Sequence, residues 1–227
     1  VREWLMENGF QGKVLPEEKI RPYLMEADKR GLLAPFYLEL TTGLRRGELL
    51  ALQWDDLNLE TGELQVTKQV YRTKEDGLLI SQPKTKSSIR TVSLPPTLLN
   101  ILKEYKESVN SRWMFPAPVK EDSPLDPAYI RTRLHLILEH AQCKQIRFHD
   151  LRHTFATIAL GNGMDVKTLS AMLGHVSAAT TLDIYTHITN PMRSEAAAKI
   201  DQRIAKVDPK EKEVASERAP ETDPQSF

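Results

Sequence analysis

HDLRHTFATIALGNGMDVKTLSAMLGHVSAATTLDIY, residues His149–Tyr185, is the stretch on which the reading of this chain turns. His149, Arg152 and His153 open one helical segment, and a Leu173-Gly174 break ends the next, where glycine allows a reversal. His175 follows that break, and Tyr185 falls in a further amphipathic segment. An ordinary helical hairpin needs none of these five polar groups. Arginine offers a planar fork of donors that fits phosphate oxygens. Histidine moves protons near neutral pH, and a tyrosine oxygen can act as a nucleophile that forms a covalent intermediate. Together they suit chemistry on a phosphate.

Working outward on the N-terminal side, Tyr129–Ala141 has helical spacing, and a loop with three prolines, Phe115–Asp126, precedes it. Thr97–Val109 is also helical in period. Upstream the period changes to that of strands. Leu57–Leu59 and Leu64–Thr67 flank a tight turn, Leu78–Ser81 is a third run, and Ile89–Leu94 returns after a polar tip that carries Lys84 and Lys86. The expected product is a small three-stranded antiparallel sheet at one edge. Pro16-Glu17-Glu18 starts a helix that runs to about Arg30 and stops at Gly31. Leu32–Leu40 is apolar enough for a buried helix, and Thr41-Thr42-Gly43 turns the chain into Arg45 and Arg46. On the C-terminal side an alanine-rich helix is expected from about Met192 to Lys206. The fold class is therefore α+β and mainly helical.

Composition sets bounds on function. At 227 residues the chain can bury a sizeable core. The 31 lysines and arginines balance 31 aspartates and glutamates, so bulk charge identifies no partner. The balance hides an asymmetry: residues 207–227 carry six acidic and three basic side chains, which leaves the remainder net +3. Residues 206–227 are rich in charge and proline, with few large apolar groups, and are expected to be a disordered acidic tail. Residues 1–12 read as a linker remnant, and the opening Val1 in place of Met suggests a trimmed N-terminus. Cys143 is the only cysteine, so no intramolecular disulfide can form. No apolar run approaches the ~18 residues of a membrane span. A soluble, reducing, cytoplasmic setting is the expectation.

Each polar residue has an ordinary reading when taken singly. His149 and His153 have the i, i+4 spacing of zinc-protease ligands, but Asp150 stands where that pattern needs Glu. Arg152 would also set a fixed positive charge against a dication, so no metal is expected. Tyr185 could be a packed aromatic, Arg45 a solvated charge, and Lys84 a hairpin-tip lysine that keeps the loop soluble.

In order, however, Thr42–Glu48 (TGLRRGE), Lys84, His149–Thr154 (HDLRHT), Leu173–His175 (LGH) and Tyr185 resemble the tyrosine recombinase, or phage integrase, family. The resemblance covers about residues 13–205 and is nearest to integrases of conjugative transposons. It implies the catalytic-domain fold of that family and a site-specific recombinase that cleaves and rejoins DNA through a 3′-phosphotyrosyl link without a cofactor. Tyr185 is then the nucleophile, Arg45 and Arg152 hold the phosphate, and Lys84 is the general acid, with Lys86 its nearest rival. His149 handles the tyrosine proton, and His175 donates to a phosphate oxygen. Arg46, Lys86 and Arg147 are expected DNA-backbone contacts. The implied partners are double-stranded DNA attachment sites, a homotetramer formed on DNA from free monomers, and an excisionase-type accessory factor, with nucleoid association when bound. A DNA-binding module with only topoisomerase-like strand resealing, or with vestigial chemistry, is the competing reading.

Overall fold

The computed structural model describes residues 14–83, 88–120, 122–175, 179 and 181. The chain divides into units 1–188 and 189–227, and every described residue lies in the first. Lys84, Lys86, Tyr185, the linker at 1–12, the expected helix 192–206 and the acidic tail lie outside the described residues.

The fold is built on a helix with almost no polar face. In α2 (Leu33–Thr42) Ala34, Phe36, Leu38, Glu39, Leu40 and Thr42 are all buried. Only the stripe of Leu33, Tyr37 and Thr41 is partly open, so the rest of the helix must be wrapped by others. Each fully buried large apolar side chain contributes about 1.5–3 kcal/mol. Helix α1 (Glu17–Lys29) turns Tyr23 and Ala27 inward, and its Glu17 and Glu18 face the positive end of the helix dipole. Tyr23 meets Phe36 edge-on at 5.7 Å, and Phe36 lies 6.1 Å from Phe148 of α6 (Phe148–Gly161). Three helices thus share one aromatic seam.

Helix α2 ends at Gly43, whose φ of 60° suits glycine, and the Gly43 amide donates to Glu39 O at 2.8 Å. A Cβ built on Gly43 would lie 2.4 Å from Phe155 Cδ1 and 2.9 Å from Leu173 Cδ2. Both the backbone and the space exclude a side chain. Gly43→Ala should therefore combine left-handed strain of about 1–2 kcal/mol with overpacking of about 1–3 kcal/mol. Gly31 has a similar φ of 66° but nothing within 4 Å of its Cβ, so Gly31→Ala should cost only the strain. Equal urea midpoints for the two variants would contradict this account of the turn.

Short α3 (Arg46–Leu50) leads through a 3₁₀ turn (Trp54–Asp56) to four strands: β1 (Glu63–Val66), β2 (Gln69–Arg72), β3 (Leu78–Ser81) and β4 (Arg90–Ser93). They pair as two antiparallel ladders, β1 with β4 (Leu64 opposite Val92) and β2 with β3 (Val70 opposite Ile80). Among the described residues the small antiparallel sheet is therefore two two-stranded ladders, where a single three-stranded sheet was expected. Residues 57–59 are not a strand: the Asn58 carboxamide oxygen accepts from the amides of Glu60 and Thr61, which curls the chain and leaves one bridge, Leu57 to Leu64. Strand β2 went unread because only Val70 of its four residues is buried.

Helices α4 (Pro96–Glu107) and α5 (Pro127–His140) begin with proline in their first turns, and α5 is capped by Asp126, which accepts from the Ala128 amide at 2.7 Å. Helix α6 opens on Arg147, whose amide donates to Asp150 Oδ2 at 2.8 Å. Helix α7 (Val166–Leu173) is capped by Asp165 and ends at Gly174, whose φ is 64°. Thus α2 and α7 both end in left-handed glycines, and those two ends frame the site.

Candidate active site

The site forms where the turn after α2, strand β4, the first turns of α6 and the end of α7 come together. Arg152 is 3 % exposed and spans two of these ends: Nη1 donates to Gly43 O at 2.7 Å and Nη2 to Leu173 O at 2.6 Å. Arg45 caps α3. Its amide donates to Glu48 Oε2 at 2.9 Å, its Nη1 to Glu48 Oε1 at 2.7 Å and its Nη2 to Gly174 O at 3.2 Å. The Arg45 side chain keeps 38 % of its surface open. Arg90 on β4 donates through Nη2 to Glu48 Oε2 at 2.9 Å, through Nη1 to Glu48 Oε1 at 3.2 Å, and through Nε to Met172 O at 2.6 Å.

The electrostatics favour an anion. Burial alone would raise the Glu48 carboxyl, but hydrogen bonds and charge from Arg90, then Arg45, hold it below its ordinary value and ionised. Glu39 is the opposite case. It is fully buried, neither carboxyl oxygen has a hydrogen-bond partner, and burial keeps its proton on well above the usual range. Three arginines therefore face one carboxylate. Arg152 is brought down to about 10, first by burial and then by the Arg45 charge, and stays protonated at neutral pH.

The three histidines near the arginines, His149, His153 and His175, are all shifted towards the neutral form. His175 is lowered to about 4 by burial and then by Arg152, Arg45 and Arg90. His153 is lowered to about 4 by burial and then by His149, whose ring it meets edge-on at 4.9 Å. His149 is lowered by burial and by Arg152. His175 Nδ1 lies 2.6 Å from Thr181 Oγ1. Among the described residues no group of three or more His, Cys, Asp or Glu side chains could share a metal ion.

Glu39 gives a pH test of this environment. Its neighbours in charge are Arg152 on α6, Glu48 on α3, Arg90 on β4 and Tyr23 on α1. A carboxyl whose folded pKa is raised stabilises the fold below its unfolded pKa, and that stability is lost as pH rises towards the folded pKa. Glu39→Gln should thus gain in stability on the native protein at pH 7 relative to pH 4. Urea unfolding at the two pH values measures it, and a pH-independent difference would contradict a neutral buried carboxyl.

Four sequence candidates, Arg45, His149, Arg152 and His175, come close enough together that each of the two histidines feels the charge of both arginines. Arg46 sits elsewhere: it is half-buried and faces Arg131 and Asp126. Arg147 is exposed but holds Asp150, with Nη2 2.9 Å from Oδ1. Lys84, Lys86 and Tyr185 lie outside the described residues. Sequence reasoning overlooked Glu39, Glu48 and Arg90. A signal for Arg90 was present, because strand alternation puts it on the inward face with Val92 and Leu94, where an unpaired charge would be costly.

The model of the phage integrase family matches residues 14–192, most of the chain. The chain belongs to the phage integrase family. A tyrosine recombinase XerC-like protein of Caldanaerobacter subterraneus subsp. tengcongensis is 34% identical over 85% of this chain and 59% of its own length. The ICEBs1 integrase of Bacillus subtilis is 33% identical over 76% of this chain and 50% of its own. The chain thus spans only about half to three-fifths of the length of those relatives. Among solved structures, the Tn1549 transposon integrase in complex with circular intermediate DNA superposes with a TM-score of 0.71 at 23% identity, over 84% of this chain and 67% of that one. The fold is the tyrosine recombinase catalytic-domain fold, mainly helical with small antiparallel ladders.

Proposed function

We propose that this chain is the catalytic part of a site-specific tyrosine recombinase of a mobile element, cutting and rejoining double-stranded DNA at attachment sites. The observation that carries the reading is that Arg45, Arg152, His149 and His175 come together, with both histidines feeling the charge of both arginines. The relatives are recombinases and integrases, and the Tn1549 integrase is described on DNA.

In this reading Tyr185 Oη attacks the scissile phosphorus, the bond from phosphorus to the 5′ oxygen breaks, and a 3′-phosphotyrosyl link remains. His149, neutral at physiological pH, takes the tyrosine proton. Lys84 gives a proton to the departing 5′ oxygen. Negative charge that gathers on the non-bridging oxygens is met by Arg45 and Arg152, already fixed in place before the reaction. His175, with Nδ1 2.6 Å from the Thr181 hydroxyl, donates through Nε2 to a phosphate oxygen in the tautomer whose Nδ1 accepts from that hydroxyl. A 5′-hydroxyl from a partner strand then attacks the phosphotyrosine and restores Tyr185. The phosphodiester energy stays in the covalent link, so the cycle consumes no nucleotide and the reading calls for no metal. Arg46, Lys86 and Arg147 contact the DNA backbone. The protein works as a homotetramer on DNA, is monomeric when free, takes an excisionase-type factor for one direction, and acts in the bacterial cytoplasm at the nucleoid. Among the described residues no helix is long and apolar enough to cross a membrane.

The test is a nicked suicide duplex carrying a candidate attachment site, incubated with the full-length protein in EDTA. A covalent protein–DNA adduct with a free 5′-hydroxyl is expected. DNA bound without an adduct would instead make the protein a binding module.

A further inference from the structure

Three arginines from three different elements share three successive main-chain oxygens at the end of α7. Arg90 takes Met172 O at 2.6 Å, Arg152 takes Leu173 O at 2.6 Å, and Arg45 takes Gly174 O at 3.2 Å. These carbonyls fall at the end of the helix, which Gly174 terminates, and carry the negative end of its dipole. The end of α7 is a template that spaces the arginines.

Arg90 differs from the other two. Its side chain is only 7% exposed, and its fork is committed to protein: Nε to Met172 O, Nη1 to Glu48 Oε1 and Ser88 O, Nη2 to Glu48 Oε2. Four of its five N–H groups are thus spent on the protein, whereas the Arg45 side chain keeps 38 % of its surface open. What Arg90 holds is what places the other two. Glu48 takes both the amide and the Nη1 of Arg45. Met172 leads directly to the two carbonyls that receive Arg152 and Arg45, and then to His175.

We propose that Arg90 is a positioning residue for strand cleavage, which locks Glu48 and the end of α7 and so sets Arg45 and Arg152 at the spacing that grips the scissile phosphate. The assignment rests on the recombinase reading above. A lysine could not replace it, because a point donor cannot chelate a carboxylate and hold a carbonyl on the far side of the fork.

The experiment uses the full-length protein with Arg90→Gln and Arg90→Lys, in single-turnover cleavage at saturating DNA. One duplex carries the natural scissile diester. The other carries a methylphosphonate there, whose neutral phosphorus centre needs no arginine to balance charge. On the diester both variants should be slower by about 10²-fold, the loss typical of one misplaced donor. Their DNA affinity should stay within about threefold, since only interactions made in the transition state are lost. On the methylphosphonate the gap between variant and wild type should shrink to a few-fold at most. Equal slowing on both substrates would make Arg90 a mere support of the fold and overturn the assignment, as would an unimpaired Arg90→Gln on the diester. A wild-type protein that binds the diester without cleaving it would overturn the recombinase reading, and this assignment with it.

Discussion

Arg152→Ala should lower single-turnover cleavage by about 10³-fold, the upper end for one preorganised donor in a buried site, and should also weaken the fold. Both losses come from the same two bonds. The guanidinium joins Gly43 O to Leu173 O, the ends of α2 and α7, at 2.7 and 2.6 Å. Without it two carbonyls lose their donor at a buried position, which costs about 1–3 kcal/mol for each group left unsatisfied. Removing the cation also leaves the ionised Glu48 beside a smaller positive charge. Arg152→Lys keeps the charge but can reach only one of the carbonyls, so it should recover part of the stability and little of the rate. Denaturant midpoints and cleavage rates, taken well below each variant's Tm, separate the two effects. An Arg152→Ala protein within tenfold of the wild-type rate would remove Arg152 from the proposed chemistry.

The helices were legible because their signals are local. Glu17, Glu18 and Gly31 bracket α1, and the run from Leu32 to Leu40, apolar but for Glu39, announces a largely buried helix. The sheet was less so. Asn58 sits in a run that alternates like a strand, yet its side chain binds the next backbone amides and curls the chain, a competition that apolar period does not reveal. Strand β2 has one buried residue in four, too few to set a period of two.

The site shows the same division. Arg45, His149, Arg152 and His175 could be named because their residue types, in that order, resemble a known family, and the fold brings them together. Glu39 could not, since within the apolar run of α2 it reads as the residue facing water, whereas α1, α6 and β4 close over it. Glu48 and Arg90 are 42 positions apart in sequence, so their ion pair at 2.9 Å exists only once β4 lies beside α3. Long-range pairing of this kind leaves no mark on local composition.

Tyr185→Phe should abolish covalent capture of DNA altogether while leaving binding intact. The change removes only the phenolic oxygen, and no neighbouring water can store the phosphodiester as an enzyme-linked ester. The contacts that hold the DNA are untouched by the loss of this one oxygen, so affinity should remain within about threefold of wild type. This variant separates the nucleophile from the machinery around it.

The most direct test of the covalent step is to find the residue that carries the DNA. Wild-type protein trapped on the suicide duplex in EDTA is digested with nuclease and trypsin, and the nucleotide-bearing peptide is sequenced by mass spectrometry. The account predicts the nucleotide on Tyr185, in the peptide Thr168–Arg193, where Tyr185 is the only tyrosine. No such peptide should come from Tyr185→Phe. A nucleotide on any other residue, or an adduct that survives in Tyr185→Phe, would contradict it.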